Sequence, residues 1–217
     1  MDVRTIATRT HGRYLVSRPA RDGAWLIGFH GYAENAEIHL EVLNRIARQP
    51  GCGVISIQAL NRFYAKGNRV VAGWMTSEDR ELAIADNIAY AAAVVAEVER
   101  DFGTVSRLVY AGFSQGVAMA YRAAAFVQRR CDGLIVLAGD VPPDVAPVAG
   151  KLSRTLLGRG TKDEYYTPEK AALDRKTLED ANVDFVEHVF DGGHDWHESF
   201  IARASAFLDE RLQVSNK

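Results

Sequence analysis

The chain alternates between short apolar runs and longer amphipathic segments. Six runs are apolar with little or no polar alternation, which is typical of strands covered by helices on both faces; they are residues 25–30, 54–57, 108–111, 134–137, 155–158 and 185–190. Five segments with helical periodicity separate or follow them, at residues 37–48, 78–100, 115–129, 168–181 and 198–213. Strand and helix therefore alternate along most of the sequence. Parallel strands need such crossover helices, so the pattern predicts an α/β fold with a mostly parallel sheet and helices on both faces.

The amino-terminal region and one internal stretch depart from this alternation. Residues 3–8 and 13–17 are β-prone and flank His11-Gly12, which predicts an antiparallel hairpin with its turn at the glycine. Counting this hairpin, we expect eight strands. Residues 59–75 form an extended stretch predicted to be irregular, and it is long enough to suggest the wall of a pocket. No internal repeat or linker interrupts the pattern, so residues 1–217 are expected to form a single catalytic domain.

Composition and charge narrow the class of partner. Of the 217 residues, 47% are hydrophobic, enough for a sizeable core, and 26 Lys and Arg balance 28 Asp and Glu to a net charge of −2. That balance gives no attraction to nucleic acid or to an anionic membrane surface. No apolar run approaches the length of a membrane helix, and the first residues lack the form of a secretory signal, so we expect a cytoplasmic protein without stable membrane anchoring. The oligomeric state stays open, and a homodimer is compatible with the sequence.

A nucleophile motif follows the run at 108–111 directly. Gly112-Phe113-Ser114-Gln115-Gly116 has the form GxSxG and opens a helical segment rich in small residues. In such a tight turn from strand to helix the central residue has a strained backbone, and small residues two positions before and after it leave room for the chain. The motif in this context predicts that Ser114 is a nucleophile.

A serine hydroxyl is a weak nucleophile at neutral pH and needs a histidine base. His194 follows two glycines just beyond the run at 185–190, where ligands of parallel sheets bind. His197 is expected to begin the last helix, and His188 lies in the middle of a strand, so both are weaker candidates. A metal site built on Asp191 or Asp195 lacks further ligands, and we expect no metal.

The acid that orients the histidine is expected after the seventh predicted strand. Asp163 lies in Gly160-Thr161-Lys162-Asp163, before Pro168 opens a helix. Asp140, after the sixth strand, is its competitor, while the neighbouring Glu164 is expected to point elsewhere.

Two backbone donors and three pocket residues complete the predicted site. The N–H of Gln115, directly after the nucleophile, and that of Tyr32, in His30-Gly31-Tyr32, are expected to form the oxyanion hole. His30 itself is expected to be a structural hydrogen-bonding residue at a strand end. The candidate substrate-binding residues are Phe63, Trp74 and Val141.

The sequence resembles the α/β-hydrolase superfamily and, within it, the phospholipase/carboxylesterase family that includes acyl-protein thioesterases. The residues that carry the resemblance span most of the chain, in the family's order; they are Phe29-His30-Gly31-Tyr32, Gly112-Phe113-Ser114-Gln115-Gly116, Gly160-Thr161-Lys162-Asp163 and Gly193-His194. The resemblance implies Ser114 as nucleophile, Asp163 as acid and His194 as base, with Tyr32 and Gln115 as oxyanion donors. It also favours Asp163 over Asp140 and implies an α/β-hydrolase fold that needs no cofactor. The chain departs from the thioesterase pattern at residues 33–35, after Trp74 and after Gly116.

These observations lead to one expected function and two alternatives. The expected protein is a serine hydrolase without a cap domain that cleaves small-molecule carboxylic esters or thioesters with small to medium acyl groups through an acyl-enzyme. A serine peptidase or amidase on the same fold is the first alternative. The second is a catalytically idle binding protein that has kept the fold, because a fold alone does not establish activity.

Overall fold

A computed structural model describes residues 2–18, 23–48 and 51–212 of the protein. Their main feature is a seven-stranded sheet in the order β1-β3-β2-β6-β7-β8-β9. Its strands are β1 (Arg13–Arg18), β2 (Ala24–Phe29), β3 (Gly53–Gln58), β6 (Arg107–Phe113), β7 (Gly133–Leu137), β8 (Thr155–Gly160) and β9 (Phe185–Phe190). All neighbouring strands pair in parallel except β1, which pairs antiparallel with β3. The α/β fold with a mostly parallel sheet is confirmed.

In the described residues, five α-helices lie between or after these strands, close to the predicted segments. They are α1 (Ala36–Ile46), α2 (Arg80–Phe102), α3 (Gln115–Phe126), α4 (Pro168–Asp180) and α5 (Glu198–Leu212). A short 3₁₀ helix, Ala146–Lys151, precedes β8. None of the helices in the described part of the chain combines the length and apolar character that crossing a bilayer requires.

The prediction of an amino-terminal hairpin is wrong. Residues 3–8 form no strand, so the sheet formed by the described residues has seven strands and not eight. Val3 and Ile6, the apolar residues on which that prediction rested, are both more than 80% exposed. A strand whose apolar side chains contact no core gains too little from sheet pairing to be held in place.

The antiparallel hairpin lies instead within the stretch predicted to be irregular. β4 (Asn61–Ala65) and β5 (Arg69–Gly73) pair from Asn61 opposite Gly73 to Ala65 opposite Arg69. Only the end of β5 is buried, at Val71 and beyond, which explains why the sequence of these strands lacks a clear period. This hairpin contacts the turn after β2, because Glu34 forms an isolated bridge with Ala72.

The sheet divides the core into two layers. On one face Trp25, Ile27 and Phe29 pack with apolar residues of α2 and α3, and on the other face Leu26 packs with residues of α1 and α5. Alternate residues of one strand thus enter different layers, as the pleat requires. The two cysteines, Cys52 and Cys131, are both buried. This sandwich holds the carboxyl ends of the strands in one fixed row, from which the loops of the site extend.

Candidate active site

Ser114 occupies a strained turn between β6 and α3. Its backbone has φ 52° and ψ −119°, a region that residues with a side chain rarely adopt. The turn is fixed on both sides, since the Ser114 N–H donates to the carbonyl of Leu137 at 2.9 Å and the Val117 N–H donates to the Ser114 carbonyl at 3.0 Å. The strain is therefore held by hydrogen bonds to the neighbouring strand and to the first turn of α3.

The two glycines of the motif are required by close backbone contacts. A Cβ atom on Gly112 would lie 2.5 Å from the carbonyl oxygen of Gly116, and a Cβ atom on Gly116 would lie 2.1 Å from that of Phe29. Both contacts are with backbone that cannot rotate away. The sequence expectation that small residues flank the nucleophile turn is confirmed.

Ser114, His194 and Asp163 form a continuous hydrogen-bonded series. The distance from His194 Nε2 to Ser114 Oγ is 2.8 Å, and those from His194 Nδ1 to Asp163 Oδ2 and Oδ1 are 2.9 and 3.0 Å. The Asp163 side chain is fully buried, whereas that of His194 is one-fifth exposed. The structure thus brings together the three side chains that the sequence selects from three separate loops.

The loops that carry the acid and the histidine come into close contact at Gly160. A Cβ atom on Gly160 would lie 2.4 Å or less from the carbonyl oxygens of Gly192 and Gly193, so only glycine permits this approach. Two backbone hydrogen bonds join the loops, from Thr161 N to Phe190 O and from Lys162 N to Gly192 O, each 2.8 Å long. Their close contact sets the distance between Asp163 and His194.

Backbone donors and aromatic rings orient the acid and the imidazole. Asp163 Oδ1 accepts the N–H groups of Tyr165 and Tyr166, both at 2.9 Å. The His194 ring lies 5.0 Å from the ring of Phe113 and 5.0 Å from that of Tyr165, which meets it edge-on. These contacts leave the carboxylate and the imidazole little freedom to turn.

The other candidates for the acid and for the histidine base make contacts outside the Ser114-His194-Asp163 series. Asp140 is half-exposed and pairs with Lys170 at 3.4 Å, so it is not the carboxylate that contacts His194. His197 Nδ1 lies 2.8 Å from Ser199 Oγ, and His188 Nε2 lies 3.1 Å from the same oxygen. These two histidines form a separate cluster at the start of α5. In the described part of the chain, no group of three or more His, Cys, Asp or Glu side chains is arranged to hold a metal ion.

The turn that carries Tyr32 is attached to the β4–β5 hairpin and to a half-buried carboxylate. Ala33 N donates to Ala72 O at 3.0 Å, and Ala72 N donates to Glu34 O at 2.8 Å. The Glu34 carboxylate accepts the Gly31 N–H at 2.7 Å, and burial raises the pKa of Glu34. Among the described residues, no hydrogen-bond acceptor is found for the backbone N–H of Tyr32 or for that of Gln115. Both predicted donors are therefore free to bind an added oxygen atom.

His30 is a structural residue, as expected. It is fully buried, Nδ1 lies 2.7 Å from the carbonyl oxygen of Gly31, and Nε2 accepts the N–H of Ala59 at 3.0 Å. Burial lowers the pKa of His30, which favours the neutral ring. Both ring nitrogens are thus engaged by backbone, and neither is available as a base.

The side chain of Gln115 has a role that the sequence analysis misses. Its Oε1 accepts the Trp74 N–H at 2.7 Å, and its Nε2 donates to the Met75 carbonyl at 2.9 Å. One amide thereby fixes the segment that follows β5 against the start of α3. The polar side chain directly after the nucleophile is the available signal, but its partners lie about 40 positions away in the sequence.

A cleft of about 270 Å³ opens beside Ser114 and His194. It is lined by residues from α3, from the segment after β7 and from the start of α4, and these include Val141, one of the three predicted pocket residues. Trp74 lies elsewhere, because it is fully buried in the core and its indole N–H donates to His30 O at 2.8 Å. Phe63 also lies outside the lining, since it stacks on Tyr32 with ring centroids 5.4 Å apart.

Comparison with known proteins relates the fold to a group of solved hydrolases. No family model matches the chain, and no curated protein matches it. Among solved structures, esterase PE8 is 24% identical with a TM-score of 0.70, covering 93% of this chain and 98% of its own. Acyl-protein thioesterase 2 from Zea mays is 20% identical with a TM-score of 0.70, covering 94% and 100%. The carboxylesterase from Bacillus cereus is 16% identical with a TM-score of 0.73, covering 93% and 95%. The chain therefore has the α/β-hydrolase fold, and no inserted cap domain is evident in the residues that the structure describes.

Proposed function

We propose that the protein is a serine hydrolase that cleaves carboxylic esters or thioesters of small molecules through an acyl-enzyme at Ser114. The observation that carries the proposal is the 2.8 Å distance from Ser114 Oγ to His194 Nε2, together with the 2.9 Å distance from His194 Nδ1 to Asp163. A nucleophile, a base and an orienting carboxylate in this order form the arrangement that activates a serine hydroxyl. The esterase and thioesterase activities named for the similar structures give the proposal further support.

In the first half of the proposed reaction, Ser114 Oγ attacks the carbonyl carbon of the ester while its proton passes to His194 Nε2. The carbonyl oxygen becomes negatively charged, and the free N–H groups of Tyr32 and Gln115 are its proposed donors. The bond from carbon to the leaving oxygen or sulfur then breaks. His194 returns the proton to that atom, so the alcohol or thiol departs neutral and the acyl group remains on Ser114.

In the second half, water replaces the alcohol. His194 Nε2 takes a proton from the water as its oxygen attacks the acyl carbon, and the same two N–H groups receive the oxyanion. The bond from carbon to Ser114 Oγ breaks, and His194 gives the proton back to that oxygen. The carboxylic acid leaves, and every group of the protein is restored. No step requires a cofactor.

The dimensions of the cleft support small to medium acyl groups. Its volume of about 270 Å³ is close to the lower end for ligand pockets, and Val141 is among its apolar lining residues. The proposal includes two further expectations from the sequence, a single catalytic domain over residues 1–217 and a cytoplasmic location. An idle binding protein would have no need of a strained serine within hydrogen-bond distance of a histidine that is held by a buried carboxylate.

A fluorophosphonate probe, which labels only activated serines, tests the proposal. Wild-type protein should be labelled and Ser114→Ala should not. Ser199→Ala is the matched control, because Ser199 Oγ also lies within hydrogen-bond distance of histidine side chains but outside the cleft. Labelling of Ser114→Ala, or no labelling of folded wild type, would contradict the proposal.

A further inference from the structure

The cleft beside Ser114 carries an excess of positive charge. Among the described residues that line it, Arg80 and Lys170 are cationic and Asp140 is the one carboxylate. With His194 neutral, the lining therefore has one more positive than negative charge. A cleft that binds only neutral esters gains nothing from this excess, so the charges point to a feature of the substrate.

Arg80 lies at the start of α2 without an ion-pair partner. No carboxylate of the described residues approaches its guanidinium within 4.0 Å. The acid whose pKa the Arg80 charge does influence, Asp144, is already engaged by Arg122. Two hydrogen bonds of 2.7 and 2.8 Å join that pair, and they lower the pKa of Asp144 more than any other contact. The donors of Arg80 thus remain available to a ligand.

Lys170 is held only loosely. Its ammonium lies 3.4 Å from Asp140 Oδ2, and both side chains are half-exposed. Exposed ion pairs of this kind contribute little to stability, because solvent screens them. A ligand carboxylate can therefore share the Lys170 ammonium with Asp140 at little cost.

The remaining walls of the cleft limit the distance between an anionic group and the reacting carbonyl. Met75, Ala118, Val141 and Pro142 supply apolar surface, and the volume of about 270 Å³ is small for a ligand pocket. The lining also includes Gln115 at the amino end of α3, where the helix dipole favours negative charge. A carboxylate at the far end of a short acyl chain would lie in the same cleft as both cations.

We propose that the substrate is an ester or thioester of a short dicarboxylic acid, and that Arg80 and Lys170 bind its free carboxylate. This inference rests on the proposed hydrolase function and adds the substrate class. A single excess positive charge matches a carboxylate monoanion better than a phosphate dianion. The excess positive charge also distinguishes this site from a binding site for uncharged fatty-acyl groups, because such groups need a long apolar channel and no cations.

Two esters that differ in one charge test the inference. The 4-nitrophenyl monoester of succinic acid has a free carboxylate, and 4-nitrophenyl methyl succinate has the same chain with that carboxylate masked as a methyl ester. Release of 4-nitrophenol, corrected for the spontaneous hydrolysis of each ester, gives kcat/KM for each. Comparing the ratio of the two values between wild type and a variant cancels any effect of the substitution that both esters share. For wild type we expect the ratio to favour the charged ester by about tenfold, equivalent to ~1.4 kcal/mol.

Variants that each remove one charge show which side chains cause the preference for the charged ester. Arg80→Gln and Lys170→Gln should each lower it by up to about fivefold, mainly through a higher KM for the charged ester. Arg80→Lys should retain part of the preference. Lys151→Gln is the control, because it removes one positive charge from the 3₁₀ helix outside the cleft lining, and it should leave the ratio unchanged. Added salt should reduce the wild-type ratio, since ions screen the contact.

The possible outcomes separate this inference from the proposed function. Hydrolysis of both esters at similar kcat/KM, or an equal loss on both in Arg80→Gln, would overturn the substrate class and leave the hydrolase proposal standing. Equal effects of Lys151→Gln and Arg80→Gln on the ratio would show a general charge effect and would also overturn it. No hydrolysis of either ester, with Ser114 unlabelled by fluorophosphonate, would overturn both proposals.

Discussion

At the scale of single residues, the contacts of Asp163 determine how His194 can act. The carboxylate accepts two backbone N–H groups on Oδ1, so it cannot rotate away from the imidazole. With Nδ1 protonated and donating to Asp163, Nε2 has a free lone pair that faces the Ser114 hydroxyl. The proposed mechanism depends on this one tautomer.

Substitution of Asp163 by Asn tests that dependence. An amide NH₂ facing Nδ1 favours the tautomer with the proton on Nε2, which cannot accept the serine proton. We expect kcat to fall by about 10⁴-fold, as such substitutions do in other Ser-His-Asp triads, with the protein still folded by circular dichroism. Asp140→Asn, which changes an exposed carboxylate paired with Lys170, should reduce kcat by less than about tenfold. The reverse order of the two effects would identify Asp140 as the acid.

The residues of the site differ in how far the sequence could predict them. Ser114 is marked by a local motif, and His194 follows a strand end at the expected place in the chain. Position alone leaves Asp140 as a competitor of Asp163, and the family resemblance favours Asp163. The contacts of Glu34 with Gly31, and of Gln115 with Trp74, depend on how distant segments pack. Trp74 shows the opposite error, because its large apolar ring suggests a pocket wall but is fully buried in the core.

At the scale of elements, the β4–β5 hairpin supports the site from outside the main sheet. It holds the Tyr32 turn through Ala72, and the segment after β5 is attached to α3 by the amide of Gln115. The sequence predicted no strands here, since the exposed β4 has no apolar face that would produce a period of two. The strands β4 and β5 depend on contacts with the Tyr32 turn. Such contacts leave no periodic pattern in the sequence.

Variants of Gln115 test this support. Gln115→Ala keeps the backbone N–H proposed for the oxyanion but removes both side-chain hydrogen bonds. We expect the free energy of unfolding in urea to fall by about 1 to 2 kcal/mol and kcat/KM to fall about tenfold, because Met75 lines the cleft. Gln115→Glu can still accept the Trp74 N–H, but it turns an oxygen toward the Met75 carbonyl, so it should lose at least as much. Wild-type stability and activity in both variants would mean that the hairpin needs no such attachment.

At the scale of the whole molecule, the sheet and its two apolar layers were predictable because both faces are covered. Buried strands such as β2 and β6 are almost entirely apolar, and that pattern is clear in the sequence. Residues 3–8 have a β-prone composition, but neither apolar layer of the core covers them. Composition alone therefore predicted a strand that does not form. Each strand therefore depends on what covers it as much as on its own residues.

One buried carboxylate connects several parts of this molecule. Asp174 on α4 accepts the Val141 N–H at 3.0 Å and the Tyr166 hydroxyl at 2.7 Å, joining α4 to the segments after β7 and β8. Burial is the main reason why the pKa of Asp174 is raised to about 6, although the hydrogen bonds from Tyr166 and Val141 act to lower it. The charge of Asp140 also raises this pKa, and that of Lys170 lowers it. The pKa of an aspartate side chain in an unfolded chain is about 3.9.

This difference gives stability a definite dependence on pH. Between about pH 4 and pH 6 the folded protein binds a proton at Asp174 that the unfolded chain has lost, so the contribution of Asp174 to the free energy of unfolding falls as pH rises through this window and levels off above it. Asp174→Asn cannot titrate, and its urea stability should lack that fall, whereas Asp180→Asn, in an exposed pair with Lys176, should keep it. Parallel curves for wild type and Asp174→Asn across pH 4 to 6 would contradict the raised pKa. A steeper loss of stability above pH 4 in wild type than in the variant is the expected result, because only wild type must then hold a charge at a site sealed from water by Val141 and Tyr166.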